Sequence, residues 1–308
     1  MTPPGGGRRP LWQRPWPRFF VLLGMGVVAT TVLAGPTFEL AVRLGLLDAD
    51  EYLRGFRRLL TVALAVAVLG GFRPWRDGDP ASYGLRGPRA SWQAPVFAFV
   101  AAAMLAAALL ALDLAAGLWS WRSGVDVAST ALRSARFLSG ALAASLIEEW
   151  LFRGWMVRRL ARRLPLGAAA VVAAVVFGAL HAFRPAFHAR GVPPDPWRGW
   201  QAVGDGFARL VDPAQFGPFF LGLTLFALAL SAAWLRTDTL WTAVGAHAGA
   251  VWVLYGFSPL MRWTAGPAWL GTKRVADGVP AWLVLGALVV LLWPRRRAAG
   301  AASASGPG

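Results

Sequence analysis

The chain has no cysteine, which excludes thiol nucleophiles, disulfides and thiolate metal sites and leaves the redox compartment open. Lysine occurs once, as Lys273, and histidine three times, as His181, His188 and His247. Only 15% of the 308 residues are charged, against 56% apolar, and the mean hydropathy is +0.50, too little polar surface for an ordinary soluble domain. These shortages point to an integral membrane protein. Basic charge is not in short supply: the net charge is +16. The arginines, however, sit in short clusters between apolar runs, without the one-sided, aromatic-interleaved arrangement that nucleic-acid binding favours. They read as topology signals.

A bilayer core of roughly 30 Å needs about 20 helical residues. Apolar runs near 17–34, 55–72, 94–120, 135–157, 167–183, 215–235, 238–256 and 279–293 predict an all-α, polytopic transmembrane bundle of about eight spans. The second run is the weakest, because its strongly apolar part, Leu59 to Gly71, is short. Arginines cluster before the first span (Arg8, Arg9, Arg14, Arg18), after the second (Arg73, Arg76, Arg86, Arg89), after the fourth (Arg158, Arg159, Arg162, Arg163) and after the last (Arg295, Arg296, Arg297). With an even span count all four fall on one side, which the positive-inside rule makes the cytoplasm of a cell inner membrane, with both termini there. Val32-Leu33-Ala34 resembles a signal-peptide cleavage site, but removal of the first span would leave this charge pattern unexplained, so an uncleaved anchor is expected.

Gly35-Pro36 predicts the end of the first span, followed by a short interfacial helix from Phe38 to Leu47 with Glu39 and Arg43 at i, i+4. Residues 73–93 predict a cytoplasmic loop and 184–214, rich in proline, a long external one. Trp119, Trp121, Trp241 and Trp293 fit an interfacial aromatic belt. The expected organisation is a cytoplasmic N-terminal tail (1–18), flanking helices and loops (19–134), a core bearing the chemistry (135–256), an external loop and last helix (257–294), and a disordered cytoplasmic tail (295–308).

Within the core, Glu148-Glu149-Trp150-Leu151-Phe152-Arg153 puts three ionisable groups in a segment apolar enough for lipid. A charge at the centre of a membrane helix costs on the order of 2.5 to 3.5 kcal/mol by insertion scales, so such charges are usually functional. On a helix turning about 100° per residue, Glu149 and Arg153 share a face while Glu148 points away. Glu149 can then be an orienting ion-pair partner, leaving Glu148 without a partner in the motif and suited to general-base work. A purely structural Glu/Arg clamp fits the hexapeptide equally well. Phe177-Gly178-Ala179-Leu180-His181 adds an imidazole on the next helix. Counted from Pro165, Glu148 lies 17 residues back and His181 16 forward, so antiparallel neighbours hold both at nearly one depth, with Phe177 beneath the imidazole. His247, in Gly245-Ala246-His247-Ala248-Gly249, is the second intramembrane histidine, and its small neighbours permit close helix approach. His188 reads as a solvated loop residue. Carboxylate plus imidazole can activate water, and a second imidazole can donate to an oxyanion.

The set Glu148-Glu149-x-x-x-Arg153, Phe177-x-x-x-His181 and His247 resembles the CAAX protease and bacteriocin-processing (CPBP, ABI-type) family of intramembrane glutamic proteases, over about 120 residues from 135 to 256. The resemblance implies a helical bundle with a buried polar cavity open to the cytoplasm. It implies hydrolysis of a peptide bond near a membrane-embedded or lipidated segment of a membrane protein or peptide precursor. Glu148 and His181 would activate water, Glu149 and Arg153 would shape the site, and His247 would hold the oxyanion. Where family members often carry asparagine, four residues after this histidine, the chain has Val251, which leaves a catalytically weak or inactive scaffold or immunity protein as the alternative. No cofactor is expected. A His/His/Glu zinc site is disfavoured, since no H-E-x-x-H pairing places two imidazoles one turn apart. A proton-coupled transporter and a rhomboid-like pairing of Ser231 with His247 rank lower. The sequence lacks two-half symmetry, and Ser231 has no glycine-flanked context and reads as a helix-packing serine. Low lysine with high Ala, Arg, Gly and Trp suggests a GC-rich bacterial genome.

Overall fold

The computed structural model describes residues 15–46, 59–71 apart from 61, 64 and 68, 92–183, and 197–294 apart from 273. Residues 73–91 of the loop expected at 73–93, the two tails, His188 and the Glu39 side chain lie outside the described residues. The chain divides into two compact units, one formed by Met1–Asp79 with Phe183–Gln215, the other by Pro80–Ala182 with Phe216–Gly308.

In the first unit, α1 (Pro15–Arg43) runs straight past Pro36, so the predicted break and separate interfacial helix do not form. Proline removes one i→i−4 bond. The Thr37 hydroxyl donates to the Leu33 carbonyl across that turn, and the chain leaves the helix only near Gly45, at φ +64. Described residues within 59–71 are helical and approach α1 closely: a Cβ on Gly71 would lie 2.7 Å from the Phe19 Cα. The segment expected to be loop holds a helix, α5 (Arg198–Leu210), packed on α1. Its Trp200, Val203, Phe207 and Leu210 fall near one face at helical spacing, and the prolines that argued for loop all lie outside it.

The second unit carries the rest. Helix α2 (Gln93–Ala115) is almost continuously apolar and ends at Gly117, whose φ of +77 turns the chain. A three-residue strand, β1 (Trp119–Trp121), pairs antiparallel with β2 (Met261–Trp263), and Trp119 meets Trp263 edge to face. This small ribbon departs from the all-α expectation. Helix α3 (Val127–Glu149) starts at Asp126, whose carboxylate accepts from the backbone N–H groups of Ala128 and Ser129, a standard N-cap. It passes without a break into a π-helical stretch, Trp150–Val157, and closes as Arg158–Leu160. After a turn come α4 (Leu166–Ala182), α6 (Pro213–Thr237), α7 (Leu240–Gly256) and α8 (Val279–Leu292).

Alanines of α4 and α7 interleave with larger side chains in the core of this unit: Ala169, Ala170, Ala173, Leu230, Trp234, Leu240, Ala243 and Val244 pack with Val157. Helix α7 lies along both α2 and α3. On its α2 side a Cβ at Gly245 or Gly249 would collide with the carbonyl oxygen of Pro95 or Phe99, so the backbones touch. Among the described residues two helices, Gln93–Ala115 and Phe216–Thr237, are long and apolar enough to cross a bilayer, and Pro17–Leu33, Leu166–Ala182 and Val279–Leu292 are shorter apolar helices.

Candidate active site

Five side chains from three helices of the second unit meet around Glu149. That carboxylate is fully buried, and its Oε1 accepts from Arg153 Nη1 and from His247 Nδ1, both at 2.8 Å. The first bond is the i, i+4 pair expected from the motif, and it survives although the chain beyond Glu149 winds as a π-helix, a form that recurs at functional sites. The second bond joins residues 98 apart in sequence and was not foreseen. A carboxylate can only accept, so His247 Nδ1 carries a proton and its Nε2 faces the other way.

It faces Glu148. The Glu148 Oε2 atom lies 3.8 Å from His247 Nε2 and 3.4 Å from His181 Nε2. His181 Nδ1 stands 2.9 Å from the Phe177 carbonyl, which again can only accept, so this imidazole also has its Nδ1 proton committed and its Nε2 turned inward. Glu148 is therefore not left without a partner, as the hexapeptide alone implied: two imidazole Nε2 atoms address one of its oxygens. Both separations exceed a well-formed hydrogen bond. The depth count from Pro165 holds, and Phe177 stacks under His181 with ring centres 4.0 Å apart. The same phenyl ring meets His247 edge-on at 6.0 Å, and Phe226 meets it from the other side at 5.3 Å. The imidazoles are thus fixed by apolar walls as well as by hydrogen bonds.

Exposure divides the cluster. Glu149, Arg153 and His247 are buried, whereas the Glu148 and His181 side chains keep 29% and 34% of their surface accessible. Within Glu148 the accessible surface lies away from Oε2, which is itself buried where it faces the two imidazoles.

Arg153 is held from three directions. Besides Glu149, its Nη2 donates to the Ala227 carbonyl at 2.7 Å and its Nε donates to the Ser231 Oγ at 3.3 Å, while its guanidinium lies over the Phe177 ring. Ser231 is occupied in this way and in donating to Ala227 O, so it forms no pair with His247. The sequence reading found Ser231 only as a packing residue, and missed Ala227 altogether because a backbone acceptor leaves no mark in sequence. Val251 lies one turn beyond His247 on α7, and the chain has no asparagine at any position. No group of three or more His, Cys, Asp and Glu side chains among the described residues is arranged to hold a metal ion.

The family model described as Rce1-like, type II CAAX prenyl endopeptidase, matches residues 130–253. No curated protein and no solved structure matches the chain significantly. The matched stretch contains Glu148, Glu149, Arg153, His181 and His247, and together with the apolar helices it marks a membrane protein of protease type. Over residues 130–253 the chain is similar to the Rce1-like family of type II CAAX prenyl endopeptidases.

Proposed function

We propose that this protein is an intramembrane endopeptidase that hydrolyses a peptide bond next to a membrane-embedded or lipidated segment, using water activated by Glu148 and His181. The observation that carries this reading is the convergence of His181 Nε2 and His247 Nε2 on Glu148 Oε2, at 3.4 and 3.8 Å, with both Nδ1 protons already engaged elsewhere. A water seated between Glu148 and His181 gives its proton to this pair as its oxygen attacks the scissile carbonyl. The carbonyl oxygen becomes an oxyanion, and the proton is passed on to the departing amine as the tetrahedral intermediate collapses. His247 stabilises the oxyanion through Nε2. Because its Nδ1 proton goes to Glu149, donation from Nε2 requires the imidazolium, whose charge Glu149 balances. Arg153 in turn offsets the second carboxylate. No metal or cofactor enters this scheme.

The chain resides, in this reading, in the bacterial inner membrane with both termini and the site's opening on the cytoplasmic side. Its substrates are membrane proteins or peptide precursors. The test is cleavage of a prenylated CAAX-type reporter peptide by the full chain in proteoliposomes. Glu148→Gln and His181→Ala are each expected to lower turnover by about 10² to 10⁴, the usual weight of general-base catalysis. Both variants are expected to insert and elute as wild type does. Turnover of Glu148→Gln at the wild-type rate removes the proposed base, and undiminished turnover after exhaustive chelation is expected. One observation, Val251 in place of a second oxyanion donor, favours an inactive scaffold or immunity protein. Under that reading Glu148→Gln leaves the cellular phenotype intact, whereas under ours it abolishes it.

A further inference from the structure

Ser231 is not used by the reaction above, and it is fully buried in a helix, α6, that contributes no ionisable side chain to the site. Its single hydroxyl proton goes to the Ala227 carbonyl at 2.9 Å, which leaves an oxygen lone pair for the Arg153 Nε–H at 3.3 Å. The same Ala227 carbonyl takes the Arg153 Nη2–H at 2.7 Å. One turn of α6 therefore offers two acceptors, to Nε and Nη2 along one edge of the guanidinium, and sets its plane. That plane aims Nη1 at Glu149 Oε1, the oxygen that also receives His247 Nδ1–H.

We infer that Ser231 is a positioning residue, setting the orientation of His247 and the engagement of its Nδ1 proton through Arg153 and Glu149. The chain of contacts crosses three helices: α6 fixes Arg153, α3 passes the restraint to Glu149, and α7 receives it at His247. Loss of the hydroxyl leaves the Arg153 Nε–H buried without an acceptor, and a guanidinium in that state turns to find another. Glu149 then loses its fixed donor, and the His247 Nδ1 proton its fixed acceptor. Where the inference concerns cleavage it rests on the proteolytic reading. Where it concerns the state of His247 it does not.

The experiment uses the full chain, purified in detergent and labelled with ¹⁵N-histidine, which gives signals from only three residues. Ser231→Val and Ser231→Thr have the same branched shape and differ in the hydroxyl, so they are compared with wild type, and His247→Ala assigns the resonances. The expected result is that Ser231→Val moves the His247 Nδ1 signal away from its hydrogen-bonded position, leaves the His181 signals in place, and cuts kcat on a prenylated CAAX-type reporter peptide about tenfold with KM little changed. Ser231→Thr is expected to restore both. His247 signals identical in all three proteins, with Ser231→Val lowered only in thermal stability, overturn the inference. If Ser231→Val does not fold, Ser231→Ala replaces it and is read against the same two outcomes. A wild-type chain that cleaves nothing while Ser231→Val still moves the His247 signals removes the protease reading and keeps this one.

Discussion

Arg153 is the best-held side chain of the site, with a carboxylate, a carbonyl and a hydroxyl on its nitrogens and 1% of its surface exposed. Truncating one member of a buried ion pair strands the other, at a cost of ~3–5 kcal/mol, so Arg153→Met is expected to lower stability in detergent by that order, measured by thermal or denaturant unfolding. Lysine is no substitute, since one ammonium cannot reach three acceptors spread along a planar fork. The double variant Glu149→Gln/Arg153→Met, which removes both charges, is expected to recover much of the stability and none of the turnover. The Glu149–Arg153 and Phe177–His181 pairs were legible in sequence because each lies four residues apart on one helix, where spacing alone decides contact. The Glu149–His247 bond was not, because it depends on how α3 and α7 are rotated about their own axes. Periodicity shows which face of a helix is apolar, and on helices that are apolar all round it shows little else.

At the level of elements, the contact between α2 and α7 governs where His247 stands. Gly249→Ala puts a methyl group where the Phe99 carbonyl oxygen now lies, and forced separation of packed helices typically costs ~1–3 kcal/mol. Its turnover is expected to fall more than its melting temperature, because α7 carries His247 away from Glu148 as it moves. Asp126, at the start of α3 and outside the apolar segment, gives a pH signature. Backbone N–H groups of Ser129 and Ala128 hold its carboxyl below the usual carboxylate range. A lowered folded value means that the cap stabilises above the unfolded pKa and is lost as pH falls through the folded one. The melting difference between wild type and Asp126→Ala is therefore expected to be largest at neutral pH and to shrink in acid. Hydrophobic runs located most helices of the second unit within a few residues, but α3 starts at Val127, well before the run read from 135, because its first turns carry Ser129, Thr130, Arg133 and Ser134. They failed at Pro36, where the helix continues past its proline, and at α5, where flanking prolines disguised a helix. The β1–β2 ribbon also escaped, since three residues a side are too few for an alternating pattern to register.

For the molecule as a whole, the absence of cysteine is an experimental advantage. Single cysteines introduced at Leu164 and at Ala299 are expected to react with a membrane-impermeant maleimide only in inside-out vesicles, and one at Ser123 only in intact cells. Labelling of Leu164→Cys from outside would invert the orientation drawn from the arginine clusters. Composition was enough to establish the membrane class, because so apolar a chain with so few charges cannot cover its surface with polar groups. The division into two units was not legible, since the unit containing α1 also takes Phe183–Gln215 from the middle of the stretch read as one core. The seam between α2 and α7 carries one more consequence. With Gly245 and Gly249 seated on the carbonyl oxygens of Pro95 and Phe99, no side chain, lipid tail or substrate strand fits between these helices beside His247. That flank of the second unit is closed, so under the proposed proteolytic reading a substrate comes to Glu148 through another gap.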